Sequence, residues 1–152
     1  MAAGDQKPKL APMKTWLLDT GPLVAYLDAK DQAHSAVAAC LDAFVGELCT
    51  TDAVIVEAMH FVAAAAHGPR LLADFVEASG LRIFASTQPS QLREAAELVQ
   101  KYADTPMDFA DATLVLLADL LSALDIVTLD RRGFSTYRTV RGKTLRRVLD
   151  RV

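Results

Sequence analysis

Cysteine and histidine are scarce in this chain of 152 residues, which has two of the first and three of the second. Cys40 and Cys49 have no metal-ligand spacing, and neither is needed to explain the fold. They read as free thiols in an intracellular protein. His34, His60 and His67 form no ligand pattern, and His60 reads as a histidine at the edge of the core. Long apolar runs are also missing. Hydrophobic residues make up 52% of the chain, yet acids interrupt every stretch before it reaches the roughly 18 residues of a membrane span. No membrane association is expected. Residues 1–12 are polar and lack the apolar segment of a signal peptide, so they read as a flexible lead-in. Without repeats, low-complexity tracts or a second composition regime, residues 13–152 read as one domain with a basic C-terminal segment, located in the cytoplasm.

The charge is unevenly placed. Residues 131–152 carry eight Lys/Arg against one acid, a balance of +7. Residues 1–130 carry eight bases against eighteen acids, a balance of −10, which together give the net −3. A basic tail on an acidic body suggests contact with a polyanion or an acidic partner; a solvated terminal segment is the plain alternative.

Hydrophobic patterning gives short apolar runs alternating with helical periods. Strands are expected at residues 15–18, briefly at 49–50, at 81–85, at 125–129 and at 137–140. Helices are expected at 22–29 with Thr20 or Gly21 as cap, at 33–48, from Asp52 to about 66, at 69–79 ended by Gly80, at 89–102, and from a Thr105-x-x-Asp108 capping box to about 123. Strands separated by helices imply a parallel sheet covered on both faces.

Four acids stand out against this frame. In an open parallel sheet, ligands bind beyond the carboxyl ends of the strands. Asp19 follows Trp16-Leu17-Leu18, and Asp130 follows Ile126-Val127-Thr128-Leu129, so each sits at such an end. A turn or cap role accounts for either alone, but less comfortably for both. Glu57 is the only formally charged residue between Ala53 and Ala66. Its helical neighbours Ala53, Val54, Phe61 and Ala64 are apolar. An ionised carboxylate on such a face is costly unless paired or bound to a metal. Asp108 is accounted for as a capping acid. Asp111, one turn deeper and followed on its face by Val115 and Ala118, is not. Carboxylates brought together repel unless a cation compensates, and no lysine neighbours any of the four. Oxygen-only ligands favour Mg²⁺ or Mn²⁺, which would polarise a phosphate oxygen and activate a water. Arginines of the tail, Arg131, Arg132, Arg138 and Arg141, could then hold a phosphate backbone.

Four segments carry a family resemblance. Leu17-Leu18-Asp19-Thr20-Gly21-Pro22-Leu23-Val24-Ala25-Tyr26-Leu27, Val54-Ile55-Val56-Glu57-Ala58, Pro106-Met107-Asp108-Phe109-Ala110-Asp111-Ala112 and Val127-Thr128-Leu129-Asp130-Arg131-Arg132-Gly133-Phe134 resemble, in order, the acidic segments of the PIN domain, and within it of VapC-like toxins. The resemblance implies a PIN-like three-layer α/β/α sandwich with a central, mostly parallel β-sheet. It implies a catalytic and metal-binding set of Asp19, Glu57, Asp111 and Asp130, with Thr20, Asp108 and Thr128 in support. It implies Mg²⁺- or Mn²⁺-dependent cleavage of RNA with one or two ions, a homodimer, and a small antitoxin that blocks the site. One departure is visible: some members place a further acid where Gly133 stands.

Three other readings remain. Asp19-Thr20-Gly21 also matches the loop of aspartic proteases, but that fold is almost all β, whereas residues 22–27 read as helix. A nuclease of RNA maturation or decay, without antitoxin, would use the same acids. A non-enzymatic binding module predicts the loss of some of the four acids, and all are present.

Overall fold

The computed structural model describes residues 12–151. Most of the expected lead-in falls outside that range. The elements run β1 (Thr15–Leu18), α1 (Thr20–Leu27), α2 (His34–Asp42), β2 (Glu47–Thr51), α3 (Asp52–Val62), α4 (Gly68–Ser79), β3 (Arg82–Phe84), α5 (Pro89–Lys101), α6 (Phe109–Leu121), β4 (Asp125–Val127), α7 (Arg131–Thr136) and β5 (Arg146–Arg147), with a closing 3-10 turn at Val148–Arg151. The five strands form one parallel sheet in the order β3-β2-β1-β4-β5. Helices flank it in an α/β/α sandwich, as expected.

The topology decides where a site can form. From β1 the chain builds outward through β2 and β3 on one side, then returns to place β4 and β5 on the other. The strand order therefore reverses between β1 and β4. The crevice beyond the carboxyl ends of such a pair is where open α/β sheets bind ligands. Leu17 and Leu18 of β1 and Ile126 and Val127 of β4 are fully buried, each contributing about 1.5–3 kcal/mol of hydrophobic stabilisation. Helix α6 packs almost entirely inside, with Ala112, Leu114, Val115, Leu117 and Ala118 buried. Its buried Thr113 hydroxyl is satisfied by Ala110 O (2.7 Å) and the Thr51 hydroxyl (2.8 Å). Both cysteines are buried and free.

Several expected boundaries move. Helix α2 ends at Asp42 rather than continuing to 48, and the brief strand becomes the five residues of β2. Phe44 and Val45 fell at helical spacing by coincidence. In the structure Phe44 stacks on Trp16 with ring centroids 3.8 Å apart, and Val45 is 87% exposed. Helix α1 starts two residues early because Asp19 itself is its cap, accepting from Thr20 N at 2.8 Å. Thr51, not Asp52, caps α3. That helix stops at Val62. Gly80 closes α4 as expected, at a φ of 66° that suits glycine. No strand forms at 137–140. Arg138 makes an isolated antiparallel bridge to Thr144, and the last strand is the charged pair Arg146–Arg147. Those charges are matched across the sheet, where Arg146 pairs with Asp125 at 2.9 Å. His60 is exposed, not at the core edge. Among the described residues, no helix is long and apolar enough to cross a membrane.

Candidate active site

Asp19 leaves β1 directly at the switch point. Its N–H still belongs to the sheet, donating to Val127 O at 3.0 Å. Asp19 is 7% exposed as a residue, and its carboxylate accepts from Thr20 N through Oδ1 and from the Thr128 hydroxyl through Oδ2, both at 2.8 Å. The same Thr128 oxygen accepts from Asp130 N at 3.0 Å. One buried hydroxyl thus ties the acid after β1 to the acid after β4. Asp130 then caps α7, its Oδ1 accepting from Gly133 N at 2.9 Å.

The third acidic turn differs from expectation. The capping box belongs to Asp108 and Asp111, not to Thr105 and Asp108. Asp108 Oδ1 accepts from Asp111 N at 2.8 Å, and Asp111 Oδ2 accepts from Asp108 N at 3.2 Å. Capping therefore accounts for one oxygen of each. It also holds the two carboxylates side by side at the N-terminus of α6, where the helix dipole favours negative charge. Glu57 reaches the same place from α3. Asp19, Thr20, Glu57, Asp108, Asp111 and Asp130 all line one cleft of about 460 Å³, together with Asp31, Phe61 and Leu129.

Among the described residues, no lysine or arginine lines this cleft, and the acids respond accordingly. Burial raises the Asp19 pKa from its ordinary value of 3.8 to about 6; the Thr128 and Thr20 hydrogen bonds oppose this, and repulsion from Asp108 and Glu57 adds to it. Asp111 is pushed up to about 8, by burial and then by Asp108 and Asp19. Glu57 is raised by burial, with the Thr20 side chain opposing and Asp108 adding. The Thr20 hydroxyl is 3% exposed and makes no well-formed hydrogen bond of its own. It is near enough to Glu57 to favour the ionised carboxylate, yet free to turn toward a bound group.

The donor set suits a hard divalent cation: several carboxylates, no competing soft ligand and no fixed counter-charge. Among the described residues, no group of three or more His, Cys, Asp or Glu side chains stands close enough together to hold a metal ion by itself. The cleft is open, which fits an ion that keeps much of its water and is reached by one or two carboxylates.

The basic tail is largely committed elsewhere. Arg146 and Arg151 both pair with Asp125, and Arg147 pairs with Asp150. Arg138 Nη1 lies 2.9–3.0 Å from the carbonyls of Ser135, Thr136 and Tyr137, at the end of α7. Among the described residues, Arg131, Arg132 and Arg141 make no ion pair. The first two open α7 immediately after Asp130 and are exposed.

A model of the PIN domain matches residues 16–139. The chain belongs to the PIN-domain family. This PIN domain is 36% identical over 127 residues to ribonuclease VapC26 of Mycobacterium tuberculosis, an alignment spanning 83% of this chain and 94% of that one. Its fold matches the crystal structure of Mycobacterium tuberculosis VapC20, described as a toxin that cleaves the sarcin–ricin loop, with a TM-score of 0.69 at 15% identity, covering 76% and 90% of the two chains. It also matches FitAcB of Neisseria gonorrhoeae, with a TM-score of 0.56 at 22% identity, covering 78% and 90%.

In this PIN domain Gly133 is not a vacant ligand position. A Cβ there would lie 2.8 Å from Cε2 and 2.9 Å from the hydroxyl of Tyr137, and closer still to Asp130 Oδ2. Sequence reasoning singled out neither Tyr137 nor the cleft residues Phe61, Leu129 and Asp31. Phe61 had a signal: it stands at i+4 from Glu57, on the same helix face, and is 61% exposed. Asp31 builds its own turn, accepting from Ala33 N at 2.8 Å.

The raised carboxylates make a prediction about stability. A folded-state pKa above the unfolded value means that the folded protein holds its proton longer. The resulting penalty is absent below pH 4, grows as pH rises through about 6 for Asp19, and is complete for Asp111 only above about 8. Without divalent ions, the unfolding midpoint should therefore fall as pH goes from 5 to 8. Added Mg²⁺ or Mn²⁺ should recover most of the loss at pH 8 and little at pH 5. Differential scanning fluorimetry in EDTA and in metal would reveal this; a flat profile would contradict the burial of these acids.

Proposed function

We propose that this protein is a metal-dependent endoribonuclease and the toxin of a toxin–antitoxin pair. The observation that carries this reading is the gathering of Asp19, Glu57, Asp111 and Asp130 in one cleft, at the switch point, without a counter-cation. The similarity to a ribonuclease over most of both chains supports the substrate class. Asp19, Asp111, Asp130 and Glu57 would hold one or two Mg²⁺ or Mn²⁺ ions, with Asp108 assisting. A bound ion would neutralise the phosphate and lower the pKa of a water, so that the water attacks phosphorus as the P–O bond to the leaving sugar oxygen breaks.

The rest of the work falls to the protein. Thr128 orients Asp19 while buttressing the Asp130 turn. Thr20 is a buried donor in a cleft otherwise lined by acceptors, suited to a phosphate oxygen or the attacking water. Arg131 and Arg132 are the tail arginines best placed for the backbone of the RNA. Replacing both with Ala should weaken RNA binding roughly tenfold, lower the salt dependence by about 0.7 per lost phosphate contact for a single strand, and alter kcat little. Filter binding at several salt concentrations checks this; an unchanged slope would remove them from the interface.

A protein antitoxin is supported by α3, where Val56, Met59 and Phe61 are exposed and Phe61 also lines the cleft. A homodimer is part of the same reading. The test is RNA cleavage with Mg²⁺ or Mn²⁺ against EDTA, combined with expression in bacteria with and without a small protein encoded next to it. Cleavage with growth arrest that the neighbour rescues supports the full reading. Cleavage without arrest would indicate a processing nuclease, and no metal-dependent cleavage on varied RNAs would sink the enzymatic reading.

A further inference from the structure

The reaction just proposed leaves Tyr137 unused, although it is fully buried beside the acids. Its backbone closes α7, donating to Gly133 O at 2.9 Å. Its ring is gripped edge-on by Phe134, with centroids 5.2 Å apart, and by Tyr102, at 5.1 Å. One edge of the ring flanks Gly133, on the side where Asp130 Oδ2 also lies. The hydroxyl, on that same edge, donates to Pro106 O at 2.8 Å. Pro106 stands two residues before Asp108, whose capping box fixes Asp111. Among the described residues, this is the one hydrogen bond that joins residues 130–137 to residues 104–111. Burial raises the Tyr137 pKa, and the charges of Asp111, Asp130, Asp108 and Asp19 raise it further, so the hydroxyl keeps its proton and remains a donor.

We propose that Tyr137 is a positioning residue that sets the separation between Asp130 and the Asp108–Asp111 turn, and through it the affinity of the cleft for a divalent cation. This rests on the metal-dependent reading of the site. The two turns belong to different helices, α7 and α6. Thr128 links Asp130 to Asp19, but among the described residues no hydrogen bond runs from either acid to the Asp108–Asp111 turn, which is held by the packing of α6. Tyr137 supplies the missing strut, and Gly133 is the space through which it passes.

The test is Mn²⁺ binding to the full chain without RNA, measured by titration calorimetry for wild type, Tyr137→Phe and Tyr102→Phe. Tyr137→Phe removes only the hydroxyl. It should weaken Mn²⁺ binding about tenfold and raise the Mn²⁺ concentration for half-maximal RNA cleavage by the same factor, with the rate at saturating Mn²⁺ close to wild type. Tyr102→Phe is the structural control. It deletes the acceptor of the Arg138 N–H, 2.9 Å away at the far end of α7, and should leave Mn²⁺ affinity within about twofold. Wild-type affinity in Tyr137→Phe overturns the proposal, and so does equal weakening in both variants. Should Tyr137→Phe not fold, Tyr137→Met, which fills the same buried space without a donor, takes its place and must weaken Mn²⁺ binding likewise. A wild type that neither binds Mn²⁺ nor cleaves RNA fails the proposed function itself, a result distinct from the others.

Discussion

Asp19→Asn is expected to reduce RNA cleavage by at least about a hundredfold while making the metal-free protein more stable. The two effects have one cause. Asp19 is held in a nearly dry position with its pKa raised to about 6, so at pH 8 the fold carries an ionised carboxylate that burial disfavours. A shift of about two units corresponds to roughly 3 kcal/mol, an upper bound on what neutralisation returns. Asparagine can keep the local network. Its Oδ1 accepts from Thr20 N, and its amide donates to the Thr128 oxygen, reversing one bond. What it cannot supply is the negative charge that, in the proposed function, would draw a cation to the end of β1. The unfolding midpoint in EDTA should therefore rise by several degrees at pH 8 and by less at pH 5, where wild-type Asp19 is mostly protonated. Stability gained where activity is lost marks a residue kept for function. Unchanged cleavage by Asp19→Asn would remove Asp19 from the site. A collapse of the midpoint would make it a structural cap, the plain role that its bond to Thr20 N already offers.

Three of the acids were legible because each broke a local rule, whereas Asp111, set apart as unexplained by capping, proved to be half of the capping box. Asp19 and Asp130 end apolar strands, and Glu57 is isolated on an apolar helix, so their positions could be reasoned from strand ends and helix faces alone. That β1 and β4 lie side by side and form the switch point comes from the strand order of the structure, not from the sequence. What the sequence hid depends on contacts distant along the chain. Nothing local says that Phe44 leaves helical spacing to stack on Trp16, or that two arginines form a strand because Asp125 lies across from them. The capping box was placed one turn too early because Thr105 and Asp108 fit the pattern as well as Asp108 and Asp111 do; only the fold decides which pair closes. The basic tail read as one patch because charge was counted without partners. Asp125 and Asp150 take three of its arginines, and the α7 carbonyls take a fourth.

Gly133→Ala is the substitution expected to damage the site most for its size. In the sequence this glycine stands where some family members place an acid, which makes a side chain here look like a restored ligand. The geometry argues the reverse. The new methyl carbon would meet Asp130 Oδ2 and the Tyr137 ring edge and hydroxyl together. Tyr137 is packed on both flanks by aromatic rings and cannot easily yield. The Asp130 carboxylate, at the end of a shorter and more exposed side chain, gives way first. Its Oδ1 then leaves Gly133 N, α7 loses its cap, and Asp130 turns from the cleft. Overpacking of this kind costs about 1–3 kcal/mol, or a fall of roughly 2–4 °C per kcal/mol for a domain of this size. The catalytic loss should be larger, of the order of a hundredfold, because in the proposed site a displaced Asp130 carboxylate acts on the reacting centre directly. Cleavage assays beside thermal melts separate the two. Near wild-type cleavage in Gly133→Ala would mean that the Asp130 carboxylate is not needed where the structure holds it, and would weaken Tyr137's role with it. Gly133→Asp should be worse than Gly133→Ala, since it adds a second charge to a cleft that already has too many.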